Sequence, residues 1–460
     1  MTIHLTWWMI MINPESILNN EVINYIKSRR WFSNKNDEIT GVSVYDSFNV
    51  DNFLLLILKF QTNMGNYLYY FPVSIGSGEI LISCQDNNKI YDAFYSKDYA
   101  DAILRLFMSE IELKGKNGIL GFIKTQFFNF NNSDNFATIK AEQSNSSFIM
   151  GNIICKNYRF LQYGENPDIR MSVVLIKNGF DNVPAPMGYA VYTSRSGNIY
   201  LINISEYIYN SIDLWSYSNK KISSICSEAS DYSELEKKIK GFLTGMAGDL
   251  GTLTGRMHRV LFYSGEEDFI PVLATMDDFY SVMEETINNL RESGLIEDSI
   301  IESLKNKLNI MIKSLDYTGI YKIRIHGDYH LGQIIYSEKY YVIDFEGEPL
   351  RKLSERSVRQ IPLRDVAGML RSLSYLIYSS SCIRPDDINE ILDNVSVKFV
   401  NAYKNVMCSI GIMPEYLFNS IDLFLLQKAS YELLYEIKNR PSWIGIPLNE
   451  IKRIYKKLCL

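Results

Sequence analysis

The sequence has no apolar run approaching the ~18–20 residues needed to cross a bilayer, so no membrane-spanning helix is expected. Residues 5–12 (LTWWMIMI) are too short, and no Lys or Arg precedes them, which argues against a signal peptide. They read as a segment packed on the domain, or as a loose leader before an ordered start near Pro14. Cysteine is sparse: six residues, at 84, 155, 226, 382, 408 and 459, with no Cys-x-x-Cys pair. That pattern speaks against a disulfide framework or a zinc site and predicts reduced thiols in a cytoplasmic protein, with Cys155 in the core. Basic residues are not in excess. The net charge of −6 argues against a general nucleic-acid binder. No internal repeat and no low-complexity tail is present.

What remains is ordinary globular material: 47% hydrophobic and 22% charged over 460 residues, enough for two or three substructures. Residues 14–30 read as a helix leading to RRWFSNK (29–35). FLLLILKF (53–60) and NYLYYFPV (66–73) read as a hairpin in a small β-rich unit. Asp98 is expected to cap a helix over 99–111, and 128–135 reads as a loop or linker. The second half is mostly helical by pattern.

The exception there is IHGDYHLGQIIYSEKYYVIDFEGEP (325–349), which holds two of the four histidines and several acids. Gln333–Tyr336 and Tyr340–Ile343 are short, β-branched and aromatic, with Ser337, Glu338 and Lys339 suited to a turn between them. This predicts a β-hairpin. The residues before its first strand then lie beside those after its second. Asp328 and Gln333 come to the same end as Asp344, and paired strands sit ~5 Å apart. Such oxygen ligands suit a hard cation such as Mg²⁺.

A second pattern lies upstream. FATIKA (136–141), the polar loop EQSNSS (142–147), FIM (148–150), the two-residue turn Gly151-Asn152 and IICK (153–156) read as strand, loop, strand, turn and strand with lysine. Small hydroxyls and backbone N–H groups in such a loop can cover phosphates, and Lys156 can reach them.

A loop aspartate, an amide five residues on and a hairpin ending in Asp-Phe resemble the protein-kinase-like catalytic core. The motifs His326-Gly327-Asp328-Tyr329-His330-Leu331-Gly332-Gln333, Asp344-Phe345-Glu346-Gly347-Glu348-Pro349 and Pro362-Leu363-Arg364-Asp365-Val366-Ala367-Gly368-Met369-Leu370-Arg371-Ser372 are similar to maltokinase signatures. Those kinases phosphorylate the anomeric hydroxyl of maltose and are structurally similar to aminoglycoside phosphotransferases. The segment Glu142-Gln143-Ser144-Asn145-Ser146 also resembles the polar turn that replaces their Gly-rich loop.

The resemblance implies roles. Asp328 takes the proton of the acceptor hydroxyl. Gln333 and Asp344 bind Mg²⁺, with Glu346 assisting. Gln143, Ser144, Asn145, Ser146 and Lys156 bind nucleotide phosphates. IYLINISEY (199–207) looks like the strand entering the hinge, where Ser205, Glu206 and Tyr207 supply backbone groups to adenine. One departure stands out: the family places an acid where this sequence has Arg170, so Lys156 must find Asp168 or Glu165, or pair only with phosphates.

QKASYELLYEIKNRPSWIGIPL (427–448) is the other strong resemblance. Lys428, Tyr431, Glu432, Tyr435, Glu436 and Asn439 follow i, i+3, i+4 spacing and crowd one helical stripe. Of these, Lys428, Tyr431, Glu432, Tyr435 and Asn439, with Trp443 as a platform and His326 from the loop, are expected to bind the sugar. Pro441 fits a helix stop. Asp365 is expected to cap its helix or brace the catalytic loop, the brace being favoured. His326 and His330 shape that loop, and His258 reads as a packed or exposed residue.

The expected fold is α+β and two-lobed, of the protein-kinase-like type, with an N-terminal cap (1–90), an intermediate nucleotide subdomain (91–206) and a mostly helical C-lobe (207–460). The implied reaction is ATP plus maltose giving ADP and maltose 1-phosphate. That product feeds α-glucan (glycogen) synthesis, often alongside trehalose synthase. The alternatives are a kinase for another sugar or amino sugar such as glucosamine, and, remotely, an inactive nucleotide-binding regulatory module.

Overall fold

The computed structural model describes residues 13–85, 88–131, 135–139, 145–348, 353–409 and 411–459. Residues 5–12, Gln143 and Ser144 lie outside these. The chain divides into two compact units: residues 1–169 with 184–209, and residues 170–183 with 210–460.

The first unit contains two antiparallel sheets. One is built on the long hairpin of Phe53–Thr62 and Gly65–Ile75, flanked by Ile39–Val50 on one side and by Asn88–Asp92 and Leu81–Gln85 on the other. The near-continuous apolar run 53–60 follows from burial on both faces. Side chains alternate across a strand, so Leu54, Leu56, Leu58 and Phe60 enter a core with Ile17, Val22, Ile26, Trp31 and Phe32. Phe53, Leu55 and Ile57 enter another with Tyr99, Ile103 and Phe107. Among the described residues the second sheet has seven strands, with Ile153–Tyr158 between Gly197–Glu206 and Asn145–Met150. Gly151 (φ +57°) opens the tight turn between 150 and 153; a Cβ there would lie 2.2 Å from the Asn131 carbonyl.

Several boundaries differ from the sequence reading. The 14–30 helix is a 3₁₀ turn (Pro14–Ile17) that ends at Leu18, followed by an α-helix (Asn20–Ser28) that Asn19 caps, accepting from Val22 N–H at 2.9 Å. The next helix is Lys97–Ser109, capped by Ser96 instead of Asp98. The strand expected at 148 begins at Asn145, so Asn145 and Ser146 belong to a strand and not to the polar loop.

The second unit is helical around one core. Tyr232–Tyr263 packs along Ile388–Met407, and Ile421–Asn439 packs on Met276–Ser293 and Leu363–Ser379. The hairpin Ile334–Tyr336 and Tyr340–Val342 forms, with Ile212–Asp213 as a third strand. Cys226 and Cys382, 156 residues apart, form a disulfide. This corrects the expectation of reduced thiols. Neither lies in a spacing motif, and only packing brings the end of the Leu214–Glu228 helix to the loop after Ser379. No helix among the described residues is long and apolar enough to cross a membrane.

Candidate active site

In the second unit the 326–333 loop is held from beneath. Asp365, in the first turn of Leu363–Ser379 and buried, accepts from His326 N–H at 2.8 Å and Gly327 N–H at 2.9 Å. His258 Nε2 lies 3.0 Å from the same carboxylate, and its Nδ1 lies 2.8 Å from Tyr403 Oη. Burial would raise the Asp365 pKa; the His258 hydrogen bond and charge, with the backbone donors, outweigh it and hold the pKa low. Gly327 has φ +85°, a bend that L side chains resist. His326 accepts from Asp328 N–H at Nδ1 (3.4 Å), so its Nε2 is the donor toward the Ile343 carbonyl, at 3.0 Å. The loop is thereby pinned to the end of the hairpin. His330 accepts from Gly332 N–H at 3.0 Å and caps the 3₁₀ turn Leu331–Gln333.

Gln333 Nε2 donates to Asp344 Oδ2 at 3.0 Å. Asp344 itself takes φ +64°, the left-handed region. Phe345, next in the chain, is buried against the His326 ring, with centroids 4.8 Å apart. The Asp-Phe pair thus directs one side chain into the core and leaves the other beside the Gln333 amide. Glu346 is partly exposed, and its charge, with those of Asp344 and Asp328, bears on Arg356.

The Ile421–Asn439 helix divides its polar stripe. Lys428 Nζ is 3.1 Å from Glu348 Oε1 and 3.6 Å from Asp328 Oδ1. Burial would lower the Lys428 pKa, but Glu348, Asp328 and Glu432 together raise it. Arg371 Nε donates to Glu432 Oε2 at 2.9 Å. Tyr431 lies under Lys428, 5.0 Å from ring centre to Nζ. Tyr435 is 43% exposed, and Asn439 donates to the Tyr435 carbonyl at 2.9 Å. Trp443 stacks on Tyr375 (5.9 Å, 20°) and lies 6.5 Å from Trp215.

In the first unit, Lys156 Nζ lies 3.5 Å from Asp168 Oδ2. Tyr158 Oη and Asn203 Nδ2 donate to the same oxygen at 3.2 and 3.4 Å. Asp168 is therefore an acid partner of Lys156. In the second unit, Arg170 pairs with Asp268 at 2.7 Å and Glu266 at 3.1 Å. Ser146 is buried, and its Oγ accepts from Arg159 Nε at 2.8 Å. Glu206 N–H and Tyr207 N–H donate to the carbonyls of Ala185 and Asn152, both at 2.9 Å. Those donors at the expected hinge are used within the chain.

No family model matches the chain. The glucosamine kinase of Streptacidiphilus jiangxiensis is 25% identical over 328 residues, which span 67% of this chain and 71% of that protein. The glucosamine kinase of Mycolicibacterium smegmatis is 24% identical over 321 residues, spanning 67% and 77%. A solved glucosamine kinase in complex with glucosamine, ADP and inorganic phosphate aligns with a TM-score of 0.65 at 18% identity, over 91% of this chain and 94% of that one. Another crystal form gives 0.66 over 93% and 96%. The fold is protein-kinase-like.

Set against the sequence expectations, the structure brings together Asp328, Gln333, Asp344 and the Asp365 brace, and pairs Lys156 with Asp168; His326, expected to bind the sugar, is instead buried with both ring nitrogens hydrogen-bonded within the chain and supports the loop. The structure does not leave the C-terminal stripe as one open surface. Glu432 is tied to Arg371, Asn439 to its own helix, and Lys428 to Asp328 and Glu348. Ser146 is tied to Arg159. Sequence reading missed Glu348, Arg371 and His258 as parts of the site's support. Two of these stand inside the kinase-like motifs, but their partners lie 61 and 80 residues away. His258 carries no local signal beyond its place on an apolar helix face.

Proposed function

We propose that this protein is an ATP-dependent sugar kinase whose acceptor is glucosamine or a related amino sugar. The observation that carries the reading is the tie of the Asp328 loop, through His326, to the hairpin end where Gln333 meets Asp344, in a chain similar to glucosamine kinases over two thirds of its length. Asp328 takes the proton of the acceptor hydroxyl as the γ-phosphoryl moves to the sugar oxygen. The amide of Gln333 and the carboxylate of Asp344 offer the hard oxygen donors that Mg²⁺ prefers, with Glu346 in support. When bound, the ion neutralises charge on the transferring phosphates. Lys156, oriented by Asp168, meets the phosphate oxygens of ATP. Tyr435 and Trp443, with the Arg440 guanidinium 5.4 and 5.0 Å from their ring centres, are the aromatic side chains assigned to the sugar.

Maltose is the second reading. Its support is the maltokinase-like run at 427–448, which carries Trp443, stacked on Tyr375 and 6.5 Å from Trp215. That reading carries with it maltose 1-phosphate, α-glucan synthesis and a link to trehalose synthase. We place the enzyme in the cytoplasm, where ATP is supplied; the Cys226–Cys382 disulfide is unusual for that compartment.

A coupled assay of ADP release with glucosamine, glucose and maltose tests both readings. Glucosamine is expected to exceed maltose by at least about tenfold in kcat/KM, a gap of ~1.4 kcal/mol in transition-state binding. Maltose as the best acceptor, with phosphate on the anomeric oxygen by NMR, reverses the order. ADP release with none of the three removes the sugar reading.

A further inference from the structure

Among the described residues, Lys428 is a mostly buried cation beside the acceptor aspartate to which the roles assigned to the site give no part. Lys428 Nζ stands 3.6 Å from Asp328 Oδ1 and 3.1 Å from Glu348 Oε1, and the three side chains are 15%, 22% and 8% exposed. The second oxygen of Asp328, Oδ2, lies 3.9 Å from His330 Nε2. One edge of the carboxylate therefore faces a fixed ammonium, and the other lies beyond hydrogen-bond distance of His330. Arg356, from the short Leu353–Arg356 helix, also feels the charge of Asp328. Glu432, one turn along from Lys428, is held by Arg371. Lys428 has few exposed atoms to offer a sugar, and drawing it away would leave buried Glu348 without this cation.

We propose that Lys428 is a positioning residue for phosphoryl transfer and not a sugar ligand: it ties Asp328 Oδ1 to Glu348 and presents Oδ2 to the acceptor hydroxyl. This rests on the kinase reading of the same site. In the step, the acceptor O–H bond breaks and its proton passes to Asp328 Oδ2. The acceptor oxygen bonds to the γ-phosphorus, the bond from that phosphorus to the bridging oxygen breaks, and ADP leaves with the electron pair. Lys428 keeps its proton throughout. Its contribution is to fix the carboxylate before the reaction, so that no reorganisation is needed during it. The residue comes from a helix 100 positions downstream, so the loop motif alone does not contain it.

The test is steady-state kinetics of Lys428→Met, Lys428→Arg and Glu348→Gln with ATP and glucosamine, beside ADP binding by calorimetry. Lys428→Met is expected to lower kcat by roughly 10²-fold, as for an impaired general base. The KM for glucosamine should stay within about threefold and ADP affinity should be unchanged. Lys428→Arg should recover at least about tenfold of the lost rate, and Glu348→Gln should lower kcat with KM held. Lys428→Met with wild-type kcat and a raised glucosamine KM makes the lysine a sugar ligand and overturns the proposal. Lys428→Arg no faster than Lys428→Met does the same. Should Lys428→Met fail to bind ADP, Glu348→Gln decides: unchanged kcat refutes the anchor. A wild-type protein that phosphorylates no sugar sinks the kinase reading, and this proposal with it.

Discussion

Asp344 sits at φ +64°, in the left-handed region. A left-handed non-glycine residue costs of order 1–3 kcal/mol, with Asp near the low end. A purely structural position would favour glycine. Asp344→Gly should therefore hold or raise the melting temperature while abolishing Mg²⁺-dependent turnover; a variant that keeps its activity would show that the carboxylate holds no metal. Asp328→Asn should lower kcat by roughly 10²–10⁴-fold and leave ADP binding intact, because its side chain faces the Lys428 ammonium, 3.6 Å away, and the His330 ring, 3.9 Å away, both in the second unit. Loss of ADP affinity with kcat retained would contradict the assignment. At this scale the sequence was informative wherever chemistry is local. Asp328, Gln333 and Asp344 fall within 17 residues, so hairpin periodicity alone brings them together. Lys428 and Glu432 were read correctly as one helical stripe. What they touch depends on Glu348 and Arg371, on other elements.

Among the elements, the path from Ile388–Met407 through Tyr232–Tyr263 to Leu363–Ser379 ends on the 326–333 loop: Tyr403, His258, Asp365, then the N–H groups of His326 and Gly327. The side chains of Tyr403, His258 and Asp365 are all buried. His258→Ala leaves buried polar partners unsatisfied and should cost about 1–3 kcal/mol, read as a lower denaturation midpoint. It should also lower kcat by loosening the loop, with KM for ATP little changed. The folded-state pKa of Asp365 is depressed. Its stabilisation is therefore present above the ordinary carboxylate value near ~4 and is lost as pH falls through the lower folded value. Asp365→Asn should flatten the acid limb of the stability curve below about pH 4. An unchanged acid limb would count against the brace. The helix carrying Asp365 was expected from its apolar pattern. The inward turn of its carboxylate, at a position that could equally cap the helix, was decided by the loop packed above it.

Across the second unit as a whole, the Cys226–Cys382 disulfide closes a long covalent loop, joining residues 156 apart. Chain entropy puts its effect near ~5 kcal/mol for such a loop, with measured disulfides usually at about 2–4. Reductant should therefore lower the melting temperature of the wild-type protein. Cys226→Ser should show the lower value from the start and no further response to reductant. Equal melting with and without reductant would show that the bond does not form or does not constrain the unfolded chain. Cys84, Cys155, Cys408 and Cys459 are free thiols, so the double variant Cys226→Ser, Cys382→Ser is the control for their oxidation.

The sequence by itself determined the hairpin with its loop aspartate, the strand–turn–strand carrying Lys156, the helical second half and the protein-kinase-like fold. The first three are written in short-range periodicity or in residues a few positions apart, and backbone geometry converts that directly into position; the fold was implied by the family resemblance of the motifs at 326–333, 344–349 and 362–372. Only the tertiary structure decided that Asp168 is a partner of Lys156 while Arg170 goes to Asp268 and Glu266, that Ser146 is a buried strand residue held by Arg159, and that Lys428 reaches Asp328. It also decided that two cysteines without a spacing motif meet. The physical reason is common to all four. A charge or thiol takes the partner that packing brings within a few ångströms, and burial magnifies the preference. That partner can stand 98 or 156 residues away along the chain, where no local pattern records it.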